Sequence, residues 1–587
     1  MRAKTGTTAQ EDHNRPTSGS SYEGSGYSHV DDNDRLEPPT HPSTSTSASS
    51  PLLQDGEWTD GEQYTPQMIS DVEDDEYKSD DDEEAGRVAA RRLTPGRQPP
   101  APRWRSPRKW FTQEEEQAVV RKFDRKLVVF VAGLYLLAFL DRSNIGNARI
   151  AGMDDDLQSS PPREDWYEWS LTAFYLAYIG FEWMAVLWRI IPAHVYVALI
   201  VFLWGLAASL QAVAVNYPML IALRTLLGIG EAGFTGVPFY LSFFFKREEL
   251  AFRTAIFVSA APLATSFASS LAWLILKAAE HSPIAPWRLL FLVEGFPSVL
   301  AAALAWNIIP DFPQTASYLT QREKKIARHR LQLERPLSRP RYSSRSKSSS
   351  PIFDSLSALL DPAAWLTSLI LFLVNLAYSS LPVFLPTILQ AMGHSALTSQ
   401  ALAAPPYLVA FIAVLLTAHA SDKVGARSPF LIAHALFSAA GYTILALSDT
   451  KLLGHIPPDS WIRYFAVYPA AIGFFSVVVL TVSWSVNNTT NHASSSGQRR
   501  GAAAFALLQA VGQCGPLLGT RLYPDRQAPY YTMGMAVCAV AMVGVAVLAG
   551  LGRWYLKRVN RRWDEEEESE QGEALSRRVV GRFRYML

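Results

Sequence analysis

MLIALRTLLGIGEAGFTGVPFYLSFFFKREELAFR, from Met219 to Arg253, sets two full charges inside an apolar run long enough to cross a bilayer, for which about 20 residues suffice. Arg224 and Glu231 are seven residues apart. On a helix that is about two turns, so they share one face, roughly 10 Å apart along the axis, with Gly228 between them leaving room beside the backbone. An unpaired charge at that depth costs at least ~2.5–3.5 kcal/mol, which makes an intramembrane Arg or Glu a functional-site candidate. Ion pairing between neighbouring helices is one reading, and a solute pathway is the other. The pathway is the expectation carried forward.

The rest of the chain agrees with a membrane protein. Of its 587 residues, 49% are hydrophobic, and the formal net charge of zero hides an acidic leading segment, an apolar body and basic clusters at its boundaries. Only two cysteines are present; Cys514 and Cys538 both fall in apolar segments, so neither a disulfide framework nor a metal-site spacing is expected. The first hundred or so residues are polar, unlike a cleavable signal peptide. Nucleotide loops, metal clusters and nucleophile motifs are not apparent, which argues against an enzyme. Neither a cofactor nor a nucleic-acid partner is expected.

Residues 1–120, with the block DVEDDEYKSDDDEEA from Asp71, bury too little apolar surface to offset their ordering entropy and read as a disordered cytosolic tail. Trp104 and Trp110, among Arg and Lys, suit either an amphipathic stretch at the membrane surface or a solvated linker. Six apolar spans follow within 121–310, near 127–147, 167–189, 195–214, 219–245, 253–276 and 287–309. A basic loop covers 311–361, and six more spans lie within 362–556, near 363–390, 400–419, 429–448, 462–486, 501–521 and 530–556. Residues 557–587 form a charged tail. The expectation is an all-α polytopic protein of about twelve transmembrane helices in two six-helix halves. Lys and Arg concentrate on alternate loops, including Lys246, Arg247, Lys423, Arg427, Arg499 and Arg500, so both termini are expected in the cytosol.

Between the eighth and ninth spans the chain reads AHASDKVGARS. Asp422, Lys423, Gly425 and Arg427 resemble the Asp-Arg-X-Gly-Arg loop of the major facilitator superfamily, although Ala418 stands where that signature usually has glycine. Gly425 permits a tight turn, and the charges can exchange partners as the halves rock. The equivalent loop of the first half, WRIIPAH, has lost the pattern. The likeness sharpens inside the spans: LDRSNIGNARIAGM ends the first, RTLLGIGEAGF lies in the fourth, and WRLLFLVEGFPSVL opens the sixth. PDFPQTASYLTQRE, WSVNN and GQCGPLLGT follow in order. From about Arg121 to Trp563 the chain resembles the fungal anion–cation symporter branch, with its allantoate, nicotinate and pantothenate permeases. That resemblance implies the major facilitator fold and proton-coupled uptake of a small organic anion across the plasma membrane. It also implies a monomer surrounded by lipid, with the proton gradient as the energy source. The second span keeps Glu182 but lacks the Pro-Ser-Asn that often follows it, and Gly236 follows Thr235 rather than proline. Both departures touch substrate identity.

Adjacent helical residues diverge by about 100°, so Asp141 and Arg142 cannot both face one cavity. The resemblance places Arg142 in the pathway and leaves Asp141 to a neighbouring helix. Arg142 and Arg224 lie at similar depth and suit a bidentate clamp on carboxylate. Asn144 and Asn147 lie nearby and suit neutral contacts; from the second half Trp484, Asn487, Asn488, Gln509 and Gln513 suit either such contacts or hydrogen bonding between packed membrane helices. Glu231 lies deeper. Burial and an approaching Arg act in opposite directions on its proton, so it is the leading proton carrier, with Glu182 as its competitor. Glu294, beside Gly295 and Pro297, reads as structural.

Two rival functions remain on the sequence. A proton-driven multidrug exporter of the same superfamily usually carries a Gly-Pro signature in its fifth span, where this chain has SAAPLATSFASS. A nutrient sensor that signals without net transport would use the long tail, whose Ser and Thr residues beside acidic runs suit phosphorylation. Deleting the first ~110 residues should leave initial uptake per surface-exposed molecule unchanged, because such a segment adds no apolar surface to a helical bundle. A truncated chain that reaches the surface and moves nothing would point to the sensor.

Overall fold

In the computed structural model, residues 110–157, 165–279, 283–334, 357–450, 456–489, 495–573 and 586 are described. The acidic segment up to residue 109, Trp104 included, and residues 335–356 of the basic loop lie outside them. The described secondary structure is helical. α1 (Gln113–Phe123) precedes six long helices: α2 (Val129–Ala148), α3 (Trp166–Phe181), α4 (Ala193–Leu210), α5 (Tyr217–Ala232), α6 (Arg247–Ala278) and α7 (Pro286–Ile308). α8 (Gln321–Glu334) connects them to α9 (Pro362–Ala391), α10 (Ala396–Val424), α11 (Ser428–Leu447), α12 (Trp461–Thr489), α13 (Ser495–Gly512) and α14 (Thr532–Glu573).

Among the described residues, nine of these helical segments are long and apolar enough to cross a bilayer. The other three fall short for visible reasons. Asp141, Arg142, Asn144 and Asn147 dilute the apolar character of α2. α3 gives way to a 3₁₀ segment, Glu182–Arg189. The apolar part of the eleventh segment, Ala503–Gly519, is short. Together they make the twelve helices expected. Prolines in the first turns of α5, α7, α9 and α11 start helices where a missing N–H has no consequence.

The two halves repeat one packing plan. In the first, the most extensive pairings are α2 with α6 and α7, α3 with α5, and α4 with α5 and α7. Six long helices later they recur as α9 with α13 and α14, α10 with α12, and α11 with α12 and α14. The halves meet where α10 and α12 pack on α6 and where α9 packs on α2. Close approach rests on glycine. A Cβ on Gly228 would collide with the Phe174 carbonyl, and one on Gly146 with that of Val383 across the halves.

The ends of the bundle differ. Where the chain enters α2, here the tail side, α1 is helical although its sequence lies largely within the expected disordered segment. Thr112 and Glu115 form a capping box at its start. Trp110 and Phe111 pack edge-on against His329 of α8, and Lys122 pairs with Glu323 at 2.7 Å and Arg322 with Glu115 at 2.9 Å. Lys246 joins Glu116, Arg253 reaches Asp124 at 2.8 Å, and the fully buried Arg330 takes Glu249 at 2.5 Å. The stretch read as a basic loop therefore contains a helix, held by charges that a loop reading leaves without partners.

In the second half, Arg427 pairs with Asp422 across the turn between α10 and α11, and Lys423 stays exposed. Gly425 ends α10 with φ +70°, its N–H bonded to the Ser421 carbonyl at 3.0 Å. A side chain in that left-handed conformation costs about 1–2 kcal/mol, more for a β-branched one. Gly425→Val should therefore lower the thermal midpoint of the purified protein by about 1–3 °C, whereas Lys423→Ala should leave it unchanged.

Candidate functional site

Between the halves lies a cavity of about 70 Å³. The first half contributes Tyr135, Arg142, Tyr178 and Glu231, and the second Asn375, Tyr378, Gln509 and Gln513. Phe234, Phe257, Val478, Val482 and Phe505 complete an apolar wall. Tyr135 and Tyr378 bring their hydroxyls to 3.1 Å across the halves.

Arg142 dominates this space. Its Nη2 and Nε donate to one oxygen of Glu231, Oε2, at 2.5 and 3.0 Å, and the other oxygen, Oε1, has no partner among the described residues. The guanidinium lies 4.9 Å from the ring centre of Tyr178 and 5.2 Å from that of Phe174, so ring faces supply attraction that water would otherwise provide. Asp141 points the other way. It accepts a 2.6 Å hydrogen bond from Ser298 of α7, as the angular step between neighbours requires.

Arg224 meets its expected neighbour but not the cavity itself. It is 1% exposed and donates from Nη1 to the Arg142 carbonyl at 3.2 Å, with Nε and Nη2 unpartnered among the described residues. The two arginines sit one behind the other, and only Arg142 lines the space. Asn144 is buried off the cavity with its Oδ1 unpartnered, and Asn147 offers its carbonyl to Gln400 of α10 at 3.4 Å. Asn488 and Trp484, expected as substrate contacts, lie outside the cavity wall, in a crevice formed with α9 and α14. They end α12 beyond the depth of Val482. Glu182 sits where α3 turns into the 3₁₀ segment, off the cavity, and Glu294 is buried on α7. Neither carboxylate has a hydrogen-bond partner among the described residues.

The seal on the side away from the tails was not read from the sequence. Arg149, at the end of α2, donates from Nε to Asp154 at 2.8 Å and from Nη2 to Asp525 of the other half at 2.6 Å. Its guanidinium rests 4.2 Å from the Tyr167 ring centre. Thr172 and Thr520 meet at 3.3 Å nearby. None of the tail-side ion pairs named above joins the two six-helix halves, whereas on the far side Arg149 and Asp525 do. Arg149 counts in the sequence as a loop cation, and only the packing of distant segments gives it a partner.

Residues 131–520 match the family profile described as Major Facilitator Superfamily. The chain is 30% identical over 472 residues to "MFS transporter prlL" of Fungal sp. (strain NRRL 50135), covering 79% of this chain and 91% of that one. It is 28% identical over 462 residues to "Major facilitator-type transporter hxnP" of Emericella nidulans, covering 77% and 88%. Among solved structures, the proton:xylose symporter XylE bound to 6-bromo-6-deoxy-D-glucose aligns with a TM-score of 0.53 at 14% identity, covering 73% of this chain and 95% of that one. That last likeness is one of fold.

Arg149 is 10% exposed but Asp525 is 55% exposed, so the bridge between the halves is worth no more than about 1 kcal/mol. Arg149→Ala should therefore loosen the far side, so that a cysteine at Thr520, in a background without Cys514 and Cys538, reacts up to about fivefold faster with a thiol reagent. Asp525→Ala should act in the same direction, and the double variant should add little to Arg149→Ala. Unchanged reactivity in both single variants would rule out the lock.

Proposed function

Since this chain belongs to the major facilitator superfamily, whose members here are transporters and not enzymes, we propose that it imports a small organic anion together with protons. One observation carries the reading: the cavity's cation, Arg142, is held by an acid, Glu231, which a substrate carboxylate can replace. The likeness to the fungal anion–cation symporter branch points the same way. In this reading the tails face the cytosol, following the basic loops, and the protein works as a monomer in the plasma membrane.

Desolvating an ion costs several kcal/mol, so Arg142 and Glu231 neutralise each other in the empty site. A carboxylate that enters and takes Arg142 leaves Glu231 buried without its cation. A lone carboxylate there is neutralised by a proton rather than left charged. Substrate and proton then bind together, and the loaded site carries no more net charge than the empty one. Arg224, with Nε and Nη2 unpartnered behind Arg142, is the second cation that such an anion draws into contact. Gln509, Gln513 and Asn375 offer neutral hydrogen bonds from the second half, a role the sequence had assigned in part to Asn488. Among the described residues Glu182 has no hydrogen-bond partner, whereas Glu231 is paired with the cavity's arginine; in this reading Glu231 is the coupling acid.

Three measurements bear on this scheme. Glu231→Gln should abolish accumulation against a gradient while substrate exchange persists, since exchange moves no net proton. Arg142→Lys keeps the charge but loses the planar fork, and should weaken apparent affinity by about tenfold, equivalent to ~1.4 kcal/mol. A neutral amide analogue should bind poorly to the parent protein. Uphill accumulation by the Gln variant, or equal transport of acid and amide, would sink the proposal.

A further inference from the structure

A second crevice opens on the tail side of the second half, between the start of α9, the end of α12 and α14. Thr367, Trp484, Asn488 and Tyr555 are among its walls, and the solute site uses none of them. Met586 is seated against it. The Met586 N–H donates to Asn488 Oδ1 at 2.8 Å. Its carbonyl accepts from Trp484 Nε1 at 2.8 Å and from Asn488 Nδ2 at 3.2 Å. Asn487 Nδ2 donates to the Met586 sulfur at 2.9 Å.

A single asparagine amide thus pairs with both backbone polar groups of one residue, as the edge of a strand would. That reads an extended peptide through its main chain, the basis of affinity in strand-type peptide recognition. With Met586 in place, Trp484 is 1% exposed and Asn487 4%, so these donors meet it out of contact with water. A buried indole N–H without a partner would cost about 1–3 kcal/mol. Twelve residues separate Glu573, the last of α14, from Met586, and an extended chain of that length spans up to about 40 Å. The segment can reach the crevice without unwinding α14.

We propose that the ends of α9, α12 and α14 form a peptide-binding crevice whose occupant is this chain's own segment around Met586, GRFRYML (581–587), and that the segment clasps the tail-side end of α12. The consequence runs along one helix. Val478 and Val482 of α12 line the solute cavity, while Trp484 and Asn488 hold the segment. The two sites are therefore about 3–15 Å apart along a rigid axis. α12 also packs on α6 of the opposite half, so a segment held at one end of α12 is joined to the interface between the halves. Occupancy of the crevice biases the motion of one half against the other whichever solute is carried.

The test places a diazirine-bearing residue at position 586 of the full chain and maps the cross-links made on illumination. Cross-links should fall on the peptide containing residues 484–488 and on facing parts of α9 and α14. Asn488→Leu, at equal surface expression, should reduce them by about tenfold, as expected when two neutral hydrogen bonds are lost. Excess synthetic GRFRYML should compete equally well against the unsubstituted chain, which keeps the test valid if the Leu variant fails to fold. Cross-links spread over other segments, or a yield indifferent to the free peptide, would overturn the assignment.

Discussion

An arginine at membrane depth has to be neutralised, and the partner chosen for Arg142 organises the rest of the molecule. Glu231 is 89 residues away in sequence, on a helix that must come close enough to α2 and α3 for the carboxylate to arrive. Gly228 removes the side chain that would hold α5 off the Phe174 carbonyl. Phe174 and Tyr178 on α3 then turn their faces to the guanidinium. Three helices are positioned by one charge. Because the pair is satisfied internally, the cavity can be empty without leaving a bare ion in it. Only one Glu231 oxygen is bonded among the described residues, so the satisfaction is incomplete.

The repeated packing of α2–α7 and α9–α14 supplies two bodies able to move around that charge. Their interface is uneven. α6 packs broadly on α10 and α12, while α3 makes a smaller contact with Cys514–Gly519. Interfaces that change partners during a cycle need contacts whose loss can be offset by new ones. The far-side bridge fits that need: Arg149 keeps Asp154 within its own half when Asp525 leaves. No buried cation is stranded by opening. The Arg142–Glu231 pair lies entirely within the first half and can persist in either arrangement.

How much of this was legible in the sequence follows from the range of each interaction. Apolar runs marked all twelve helices, nine of them of full bilayer length and apolarity, since hydropathy is a local property. The opposite directions of Asp141 and Arg142 followed from helix geometry alone, and so did the shared face of Arg224 and Glu231. Which charge would touch which did not. Two arginines at equal depth suggested a clamp, yet depth leaves radial position undefined, and Arg224 lies behind Arg142 rather than beside it in the cavity. Asn488 looked like a site residue because it is polar and ends a span. Its direction depends on how α9 and α14 pack, which periodicity does not report. Arg149 and Asp525 are 376 residues apart, beyond any local pattern. α1 was hidden because composition sets the outlook for a long acidic segment, while its capping box and tertiary partners decide for eleven residues.

The turn between α3 and α4 shows why a lost motif need not mean a lost contact. The second half keeps Asp422, Gly425 and Arg427, and there a charge pair closes a reversal within six residues. In the first half WRIIPAH has no acid to play that part. Instead Asp311, which follows α7, accepts from the His194 backbone N–H at 3.1 Å and meets its ring Nδ1 at 2.9 Å. Tyr240 donates to the Pro310 carbonyl next to it at 2.5 Å. The anion at the start of α4 is therefore borrowed from another segment, at a helix N-terminus where unpaired N–H groups favour negative charge. A pair within one turn can form and break without moving other helices. A pair between the start of α4 and the segment after α7 ties together two helices that already pack along their length. The first half thus draws its anion from the segment after α7, whereas the second keeps its charge pair within the α10–α11 turn.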